Sequence, residues 1–232
     1  MSTARYNSHL GRITRIVSLA ACAVGITACG DKRDEKPRES ANPIEAMGQL
    51  AKAGSKLETA ADEATKFQQD RRARGDTVAM TYTALQAFLP DAPDGYSKAE
   101  APSGSSQTMG AFSMTEAEQE YVGKADAEGN APRIRVKLAD FGGTEGAYGV
   151  FALPMMMNIS QEDAHHRMST IKLGPEYTWA SEEFDKDTKS SKVTAVTRYR
   201  YLVTVEAEQQ RDDQSEMLRK LTERIVRRFE GK

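Results

Sequence analysis

The chain has 232 residues, of which 39% are hydrophobic and 28% are charged, and its formal net charge at neutral pH is −2. Lysine and arginine number 32 against 34 aspartates and glutamates, so no basic surplus indicates a protein that binds nucleic acid. The cysteines are Cys22 and Cys29, which leaves the rest of the chain without a thiol for a disulfide, a cysteine-ligated metal or thiol catalysis. A chain of this length can bury a core without such cross-links.

Residues 1–28 have the pattern of a secretory signal peptide. Arg5, Arg12 and Arg15 precede an apolar run from Ile16 to Ala28, and no acidic residue lies among them. A transmembrane helix needs about 20 apolar residues, and this run is shorter. We therefore expect a cleaved signal; the alternatives are a cleavage site elsewhere or a short uncleaved anchor.

The tetrapeptide that closes this segment, Ile26-Thr27-Ala28-Cys29, resembles the lipobox of bacterial lipoproteins. The resemblance implies that Cys29 becomes the first mature residue, with diacylglycerol on its sulfur and an acyl chain such as palmitate on its amine. Each buried methylene adds about 0.8 kcal/mol, so several chains hold a protein firmly at a membrane. In such lipoproteins an aspartate after the cysteine favours the inner membrane. Gly30 stands there, which implies the periplasmic face of the outer membrane.

The mature chain is expected to be acidic and tethered. Without the three arginines of residues 1–28 it has 29 basic and 34 acidic residues. Anionic head groups repel such a domain, so lipid rather than charge should hold it at the membrane. Residues 29–43, the lipidated cysteine and a charged stretch containing Pro37 and Pro43, predict a flexible tether.

Residues 44–74 are assigned to a long amphipathic helix. Its predicted ends are about Pro43 and Arg72. Its apolar stripe has spacings of three and four: Met47, Leu50, Gly54, Leu57, Ala61, Ala64 and Phe67. The stripe is thin and rich in alanine, unlike the seam of a strong coiled coil. Two interpretations stay open: a spacer that lies on the following domain, or a helix that binds a partner or associates with itself.

Residues 77–232 predict one α+β globular domain. Thr81 or Thr83 can cap a short helix that ends at Pro90. Strands are predicted at Tyr96–Ala101, Gln107–Met114, Glu116–Val122, Arg133–Phe141, Glu162–Thr170, Thr178–Asp185 and Lys192–Glu206. The alternation in Arg133–Phe141 places Ile134, Val136 and Leu138 on one face.

Two further helices complete the domain. One is predicted from Thr144 to Met157, and the other from Asp213 to Arg228. The second has an apolar stripe that should pack on the sheet: Met217, Leu218, Leu221, Ile225 and Phe229. The expected fold is an antiparallel sheet packed with a mid-chain helix and a C-terminal helix, preceded by the long N-terminal helix.

Three segments carry a second resemblance: LPDAPDGY at 89–96, VKLADFGG at 136–143 and RYRYLVTVEA at 198–207. They resemble segments of uncharacterised bacterial envelope lipoproteins and of domains of PsbP type. The resemblance implies an α+β domain, and no functional residue is carried over from it.

The densest group of possible metal ligands is Glu162, Asp163, His165 and His166. On a strand the two histidines would point to opposite faces. Asp163 and His165 could then share a metal only with at least one distant ligand. The alternative is a pair of surface histidines beside acids.

No motif predicts catalysis. Asp140-Phe141-Gly142 spells the magnesium-binding tripeptide of protein kinases, but neither a P-loop nor the other kinase motifs accompany it, and no serine lies in GxSxG or SxxK. We expect a turn after a strand at this tripeptide, no catalytic residue and no cofactor.

The most apolar patch after the signal is Met155, Met156 and Met157, which follow Phe151 and Leu153. Methionines line adaptable binding surfaces and also fill irregular cores, so a groove for lipid or peptide and a core position both stay open. Trp179 likewise suits a core or an interface anchor.

Together these patterns favour a lipoprotein of the cell envelope that is not an enzyme and that binds an unknown envelope protein. The alternative is a carrier or sensor of a small apolar ligand, with the methionine run in the wall of a cleft. A third hypothesis is an envelope hydrolase with a metal near Asp163 and His165.

Overall fold

The structure is a computed structural model that describes residues 43–110, 112–142, 155, 159–208 and 213–231. Within these ranges the helices are α1 Pro43–Ala73, α2 Tyr82–Gln86 and α3 Ser215–Phe229. The strands are β1 Tyr96–Lys98, β2 Ser103–Met109, β3 Phe112–Gly123, β4 Arg133–Asp140, β5 Ser160–Glu162, β6 His166–Ile171, β7 Thr178–Asp185, β8 Ser190–Thr197 and β9 Tyr201–Glu208. The predicted signal, Cys29 and the predicted tether up to residue 42 lie outside the described residues, and Pro43, which was assigned to the tether, begins α1. The predicted helix Thr144–Met157 also lies outside them apart from Met155.

The strands form one antiparallel sheet in the order β1-β3-β4-β9-β8-β7-β6-β5, and β2 pairs with β3 beside β1. Helix α3 contacts β7, β8 and β9, while α2 contacts β2 and β3. The predicted combination of an antiparallel sheet with helices is therefore confirmed for the described part of the chain. The sheet face under α2 and α3 is called the inner face, and the opposite one the outer face.

The inner face holds the hydrophobic core. Ile134, Val136 and Leu138 of β4 are buried there, whereas Arg133 before them and Lys137 between them are exposed. This alternation confirms the predicted orientation of the strand. The predicted C-terminal helix is also confirmed, and its buried stripe packs on the sheet: Leu218, Leu221, Ile225, Val226 and Phe229.

Aromatic stacking joins the two helices to the sheet. The ring of Phe229 on α3 lies between those of Phe88 and Tyr201, with centroids 4.3 Å away on both sides. Leu85 of α2 is buried beside them, and Thr81 caps this helix by accepting a hydrogen bond from the Ala84 amide. The predicted cap is thus confirmed, and it directs Leu85 into the core.

The second half of α1 lies on the sheet domain. Ala60 and Ala64 are buried, and the ring of Phe67 lies 5.0 Å from that of Tyr177. The carboxylate of Glu63 accepts a hydrogen bond of 2.7 Å from the Tyr199 hydroxyl. Ala60 and Ala64 are small, which lets this part of the helix approach the sheet closely, whereas Ala61 of the predicted stripe is exposed.

Three predicted strands are wrong because each contains a turn. Gln107–Met114 divides at Gly110, whose φ of +61° begins the β2–β3 hairpin. Glu162–Thr170 divides at Asp163, where β5 turns into β6. Lys192–Glu206 divides into β8 and β9. Gly110 and Asp163 are residue types that favour turns. The residues on both sides of them alternate between polar and apolar, and this pattern predicted continuous strands instead.

The β8–β9 turn has no such residue. Arg198 and Tyr199 have φ angles of +54° and +53°, and the Arg200 amide donates to the Thr197 carbonyl oxygen over 3.2 Å. Bulky residues seldom adopt this conformation, so the contacts of their side chains must stabilise it. Tyr199 is held by Glu63 and packs 4.7 Å from the Trp179 ring.

The last residue of this turn forms a buried ion pair with the end of β4. The carboxylate of Asp140, fully buried, accepts hydrogen bonds from Arg200 Nε at 2.5 Å and Arg200 Nη2 at 2.9 Å. The backbone amides of Met80 and Gly142 donate to the same carboxylate, at 2.7 and 2.8 Å. Asp140 is thus satisfied by protein groups alone, as a buried charge must be.

Arg200 is equally satisfied. Its Nη1 donates to both carboxylate oxygens of Asp76, at 2.9 and 2.8 Å, and its Nη2 also donates to the Val78 carbonyl oxygen at 3.0 Å. All the N–H groups of the guanidinium therefore have acceptors. The network holds together the segment after α1, the end of β4 and the β8–β9 turn. The predicted turn at Asp140-Phe141-Gly142 has this structural role.

Replacing Asp140 by asparagine should lower the free energy of unfolding by about 3 kcal/mol, because the variant leaves the buried guanidinium of Arg200 without its main partner. Urea denaturation of the full chain measures the change. Glu216→Gln is the matched control, since that residue pairs with Lys220 in solvent and should change the midpoint little. Equal effects of the two substitutions would contradict a central role for the buried pair.

Candidate binding cleft

Three rows of side chains cross the outer face, because residues opposite one another in the strand register lie on the same face. The first row is apolar after its initial carboxylate: Glu116, Ala139, Leu202, Val196 and Trp179. The second row begins with two charged residues and continues with small polar ones: Glu118, Lys137, Thr204, Thr194, Ser181 and Thr170. The third is charged: Glu120, Arg135, Glu206, Lys192 and Glu183.

A cleft of about 220 Å³ lies over the first two rows, where β2, β3, β4 and β9 are neighbours. Ala139 and Leu202 provide apolar surface, and Ser103 and Thr204 provide hydroxyl groups. Its charged lining residues are Glu116, Glu118 and Lys137. A cleft below the usual range of ligand pockets, about 300–1,000 Å³, suits one long side chain or a small fragment better than a large cofactor.

The position of β2 beside the cleft depends on Gly104. A Cβ atom on Gly104 would clash with the Glu116 carbonyl oxygen and lie 2.6 Å from Cε2 of Tyr82. Only glycine therefore allows β2 to lie this close to both neighbours. The Tyr82 hydroxyl donates to the Pro102 carbonyl oxygen over 2.7 Å and fastens the start of β2 to α2.

The charges of the cleft are unequally paired. Glu118 lies 3.2 Å from Nε of Arg135 and 3.6 Å from Nζ of Lys137. Glu116 is exposed, and among the described residues no ion pair to it is found. The cleft thus combines an apolar floor with a carboxylate that is available to a cationic group.

The apolar row continues from the cleft to Met155. This methionine is buried against Val196, with Trp179 and Leu202 packed around them, and Leu202 also lines the cleft. Met155 thus has a core position on the outer face, next to the cleft. Met156 and Met157, together with Phe151 and Leu153, lie outside the described residues.

Asp163 and His165 lie in the β5–β6 turn, so the premise that they occupy a strand is wrong. One carboxylate oxygen of Asp163 accepts hydrogen bonds from the amides of His165 and His166, at 2.8 and 2.7 Å. These bonds, that from His165 first, lower the pKa of Asp163 below its ordinary value. His165 Nδ1 lies 2.9 Å from Oδ2 of Asp187, and both side chains are exposed. Within the described ranges, no group of three His, Cys, Asp or Glu side chains is placed to hold a metal.

The cleft residues Glu116, Lys137, Leu202 and Thr204 were not singled out from the sequence. Alternation alone could assign Lys137 to the solvent side of its strand. Which strands lie beside β4 is decided by long-range pairing, and only this pairing brings Leu202 and Glu116 to Ala139. A local pattern contains no signal for such a site.

Comparison with models of known protein families finds no match, and comparison with curated proteins finds none. Among solved structures, the chain is similar to the crystal structure of the extracellular domain of PknH from Mycobacterium tuberculosis. The two are 10% identical, with a TM-score of 0.41, over 67% of this chain and 100% of that chain. No helix in the described part of the chain is both long enough and apolar enough to cross a membrane.

Replacing Asp163 by alanine should lower the urea midpoint at neutral pH, because the Asp163 carboxylate accepts hydrogen bonds from two backbone amides. The decrease should be the same with added zinc as with a chelator, since these hydrogen bonds do not involve a metal. Its pKa is lowered in the folded state. The stabilisation is therefore complete above the ordinary pKa of about 3.9 and disappears as the pH falls through the lower folded value.

Asp187→Ala is the control, since this carboxylate contacts His165 only in solvent. The two midpoints are measured between pH 7 and pH 2. Zinc that stabilised the unsubstituted chain but not Asp163→Ala would support a metal site instead.

Proposed function

We propose that this chain is a lipoprotein of the cell envelope that is anchored through Cys29 and acts, without catalysis, by binding a protein partner on its outer sheet face. The observation that carries the binding role is the cleft, which lies among half-buried polar and apolar rows on the face opposite α2 and α3. The anchor rests on the lipobox-like residues Ile26 to Cys29.

The tether makes these two roles compatible. A flexible segment the length of residues 30–42 has an average reach of about 20 Å. Lipid at Cys29 would confine the domain to a thin layer above the membrane, where the effective concentration toward a partner in that layer is high. A weak contact would then be sufficient for function.

The composition of the outer face suits a protein better than a small molecule. Rows of threonine, serine and paired charges cross it, and a short stretch from Ala139 to Trp179 is apolar. Protein interfaces commonly combine a small apolar centre with a polar rim of this kind.

A carrier of a small apolar ligand is the second candidate. It is supported by the continuity between the cleft and the cluster of Met155, Val196 and Trp179, which share Leu202 as a neighbour. Native mass spectrometry of the mature chain would reveal a ligand as an added mass that Leu202→Asp removes.

Replacing Cys29 by serine should leave the chain without lipid and with its signal uncleaved, because lipid is attached to the thiol before cleavage. Fractionation and intact mass spectrometry measure both effects. The unsubstituted chain should lack residues 1–28 and carry the mass of diacylglycerol and an acyl chain. Cys22→Ser is the control and should change neither result. A Cys29→Ser chain with native mobility that stayed in the membrane would contradict the anchor.

A photo-crosslinking residue at Thr204, inside the cleft, should form a discrete adduct with an envelope protein in intact cells. The same residue at Lys220, on the exposed side of α3, should form none. Immunoblotting after irradiation measures both. Adducts of equal yield at the two positions, or at neither, would contradict binding through the outer face.

A further inference from the structure

Strand β2 is an unprotected edge of the sheet. It pairs with β3 on one side, and no other described strand lies on its opposite side. All residues of Ser103–Met109 are exposed. In an antiparallel pair every second residue directs its backbone N–H and C=O groups away from the neighbour. Within the described part of the chain, the edge of β2 that faces away from β3 therefore presents a row of unpaired backbone hydrogen-bonding groups.

The other edges of the sheet are protected in the ways that soluble proteins use. Strands β1 and β5 have three residues each, and Lys186 forms an ion pair with Glu162 at the end of β5. Strand β2, in contrast, has seven residues, SGSSQTM, with no charge and no proline. Short length, charge and proline are the usual means of preventing strand addition, and β2 has none of them.

The cleft lies on the outer face, immediately next to the edge formed by β2. Ser103 and Gly104 of β2 line it, and Glu116 of β3 stands opposite Ser105 in the register. A strand added outside β2 would project alternate side chains over the outer face. Because Ser103 and Ser105, which face outward at this end of β2, are small, a long side chain from that strand could cross β2 and reach the cleft.

We propose that the β2 edge binds an extended peptide segment of another protein by strand addition, with a lysine or arginine of that segment inserted into the cleft. Hydrogen bonds between the backbones supply affinity, and the cleft supplies the preference for one side chain. The aliphatic stem crosses Ser103 and Ser105 of β2, and the cationic head meets Glu116 of β3, at the side of the cleft nearest this edge. The inference deepens the proposed binding role and rests on it.

A second copy of this chain suits the edge less well. If β2 paired with its own copy, the side chains facing the outer surface would be those of Ser103, Ser105, Gln107 and Met109. None of them carries a charge that neutralises Glu116. A cationic peptide satisfies the backbone groups and the carboxylate together.

The test uses the full mature chain in detergent and capped seven-residue peptides of alternating threonine and valine. One peptide has a lysine at its centre and its partner has a glutamate. We expect the lysine peptide to bind about tenfold more tightly, since it exchanges a repulsive charge contact for an attractive one. Fluorescence polarisation measures the affinities, and hydrogen exchange should show slower exchange for the amides of β2 but not for those of β5.

Substitutions in the domain test the side-chain preference. Glu116→Gln should reduce the tenfold ratio to about threefold, because the carboxylate next to the inserted side chain is removed. Glu120→Gln is the matched control: it lies on the same face of β3 but already pairs with Arg133 at 2.5 Å. An equal change of the ratio in both variants would overturn the assignment of Glu116.

N-methylation of the peptide tests the backbone contact without altering the protein. Two lysine peptides are made, one methylated at odd and one at even backbone nitrogens. Only one set of N–H groups can face β2, so one peptide should lose binding and the other should retain it. Equal binding by both, or an absence of protection in β2, would overturn strand addition.

Two outcomes separate this inference from the proposed function. If no peptide binds while Thr204 still crosslinks to an envelope protein, the strand-addition proposal fails and the binding role stands. If the chain associates with itself, with β2 protected and no peptide present, a second copy occupies the edge and the peptide proposal is overturned.

Discussion

The buried pair of Asp140 and Arg200 is the interaction on which the arrangement of the domain depends. It joins the end of β4 to the turn before β9, and through Asp76 it holds the segment that follows α1. A charge buried so completely is tolerated only when each of its polar atoms has a partner, and here they all do. The network therefore specifies where α1 ends, where the central strands meet and how the β8–β9 turn closes.

The two faces of the sheet differ in composition, because successive side chains along each strand point to opposite faces. Helices α2 and α3 cover the inner face, where the aromatic stack around Phe229 and the valines of the central strands exclude water. The outer face keeps polar and charged rows, and an apolar stretch crosses it from Ala139 to Trp179. In the proposed function, stability depends on the inner face and recognition on the outer face of the same strands.

The boundaries of the hairpins show where local patterns mislead. The prediction of β4 and α3 was accurate because alternation and the helical stripe both reflect burial of one face. The β8–β9 turn escaped prediction because Arg198 and Tyr199 have no intrinsic preference for positive φ. Contacts of Tyr199 with Glu63 and of Arg200 with Asp140 impose that conformation. Each of these partners lies at least 60 residues away in the chain.

The sequence by itself determined the signal-like segment, the position of Cys29, the α+β class, the C-terminal helix and the outward side of β4, because each depends on composition or on periodicity within a few turns. Only the tertiary structure decided the strand order, the free edge of β2 and the cleft. Glu116, Lys137 and Leu202 meet through pairing between distant strands, so their proximity is a property of the register and not of any segment. The core position of Met155 had the same origin, because Val196 and Trp179 reach it from other strands.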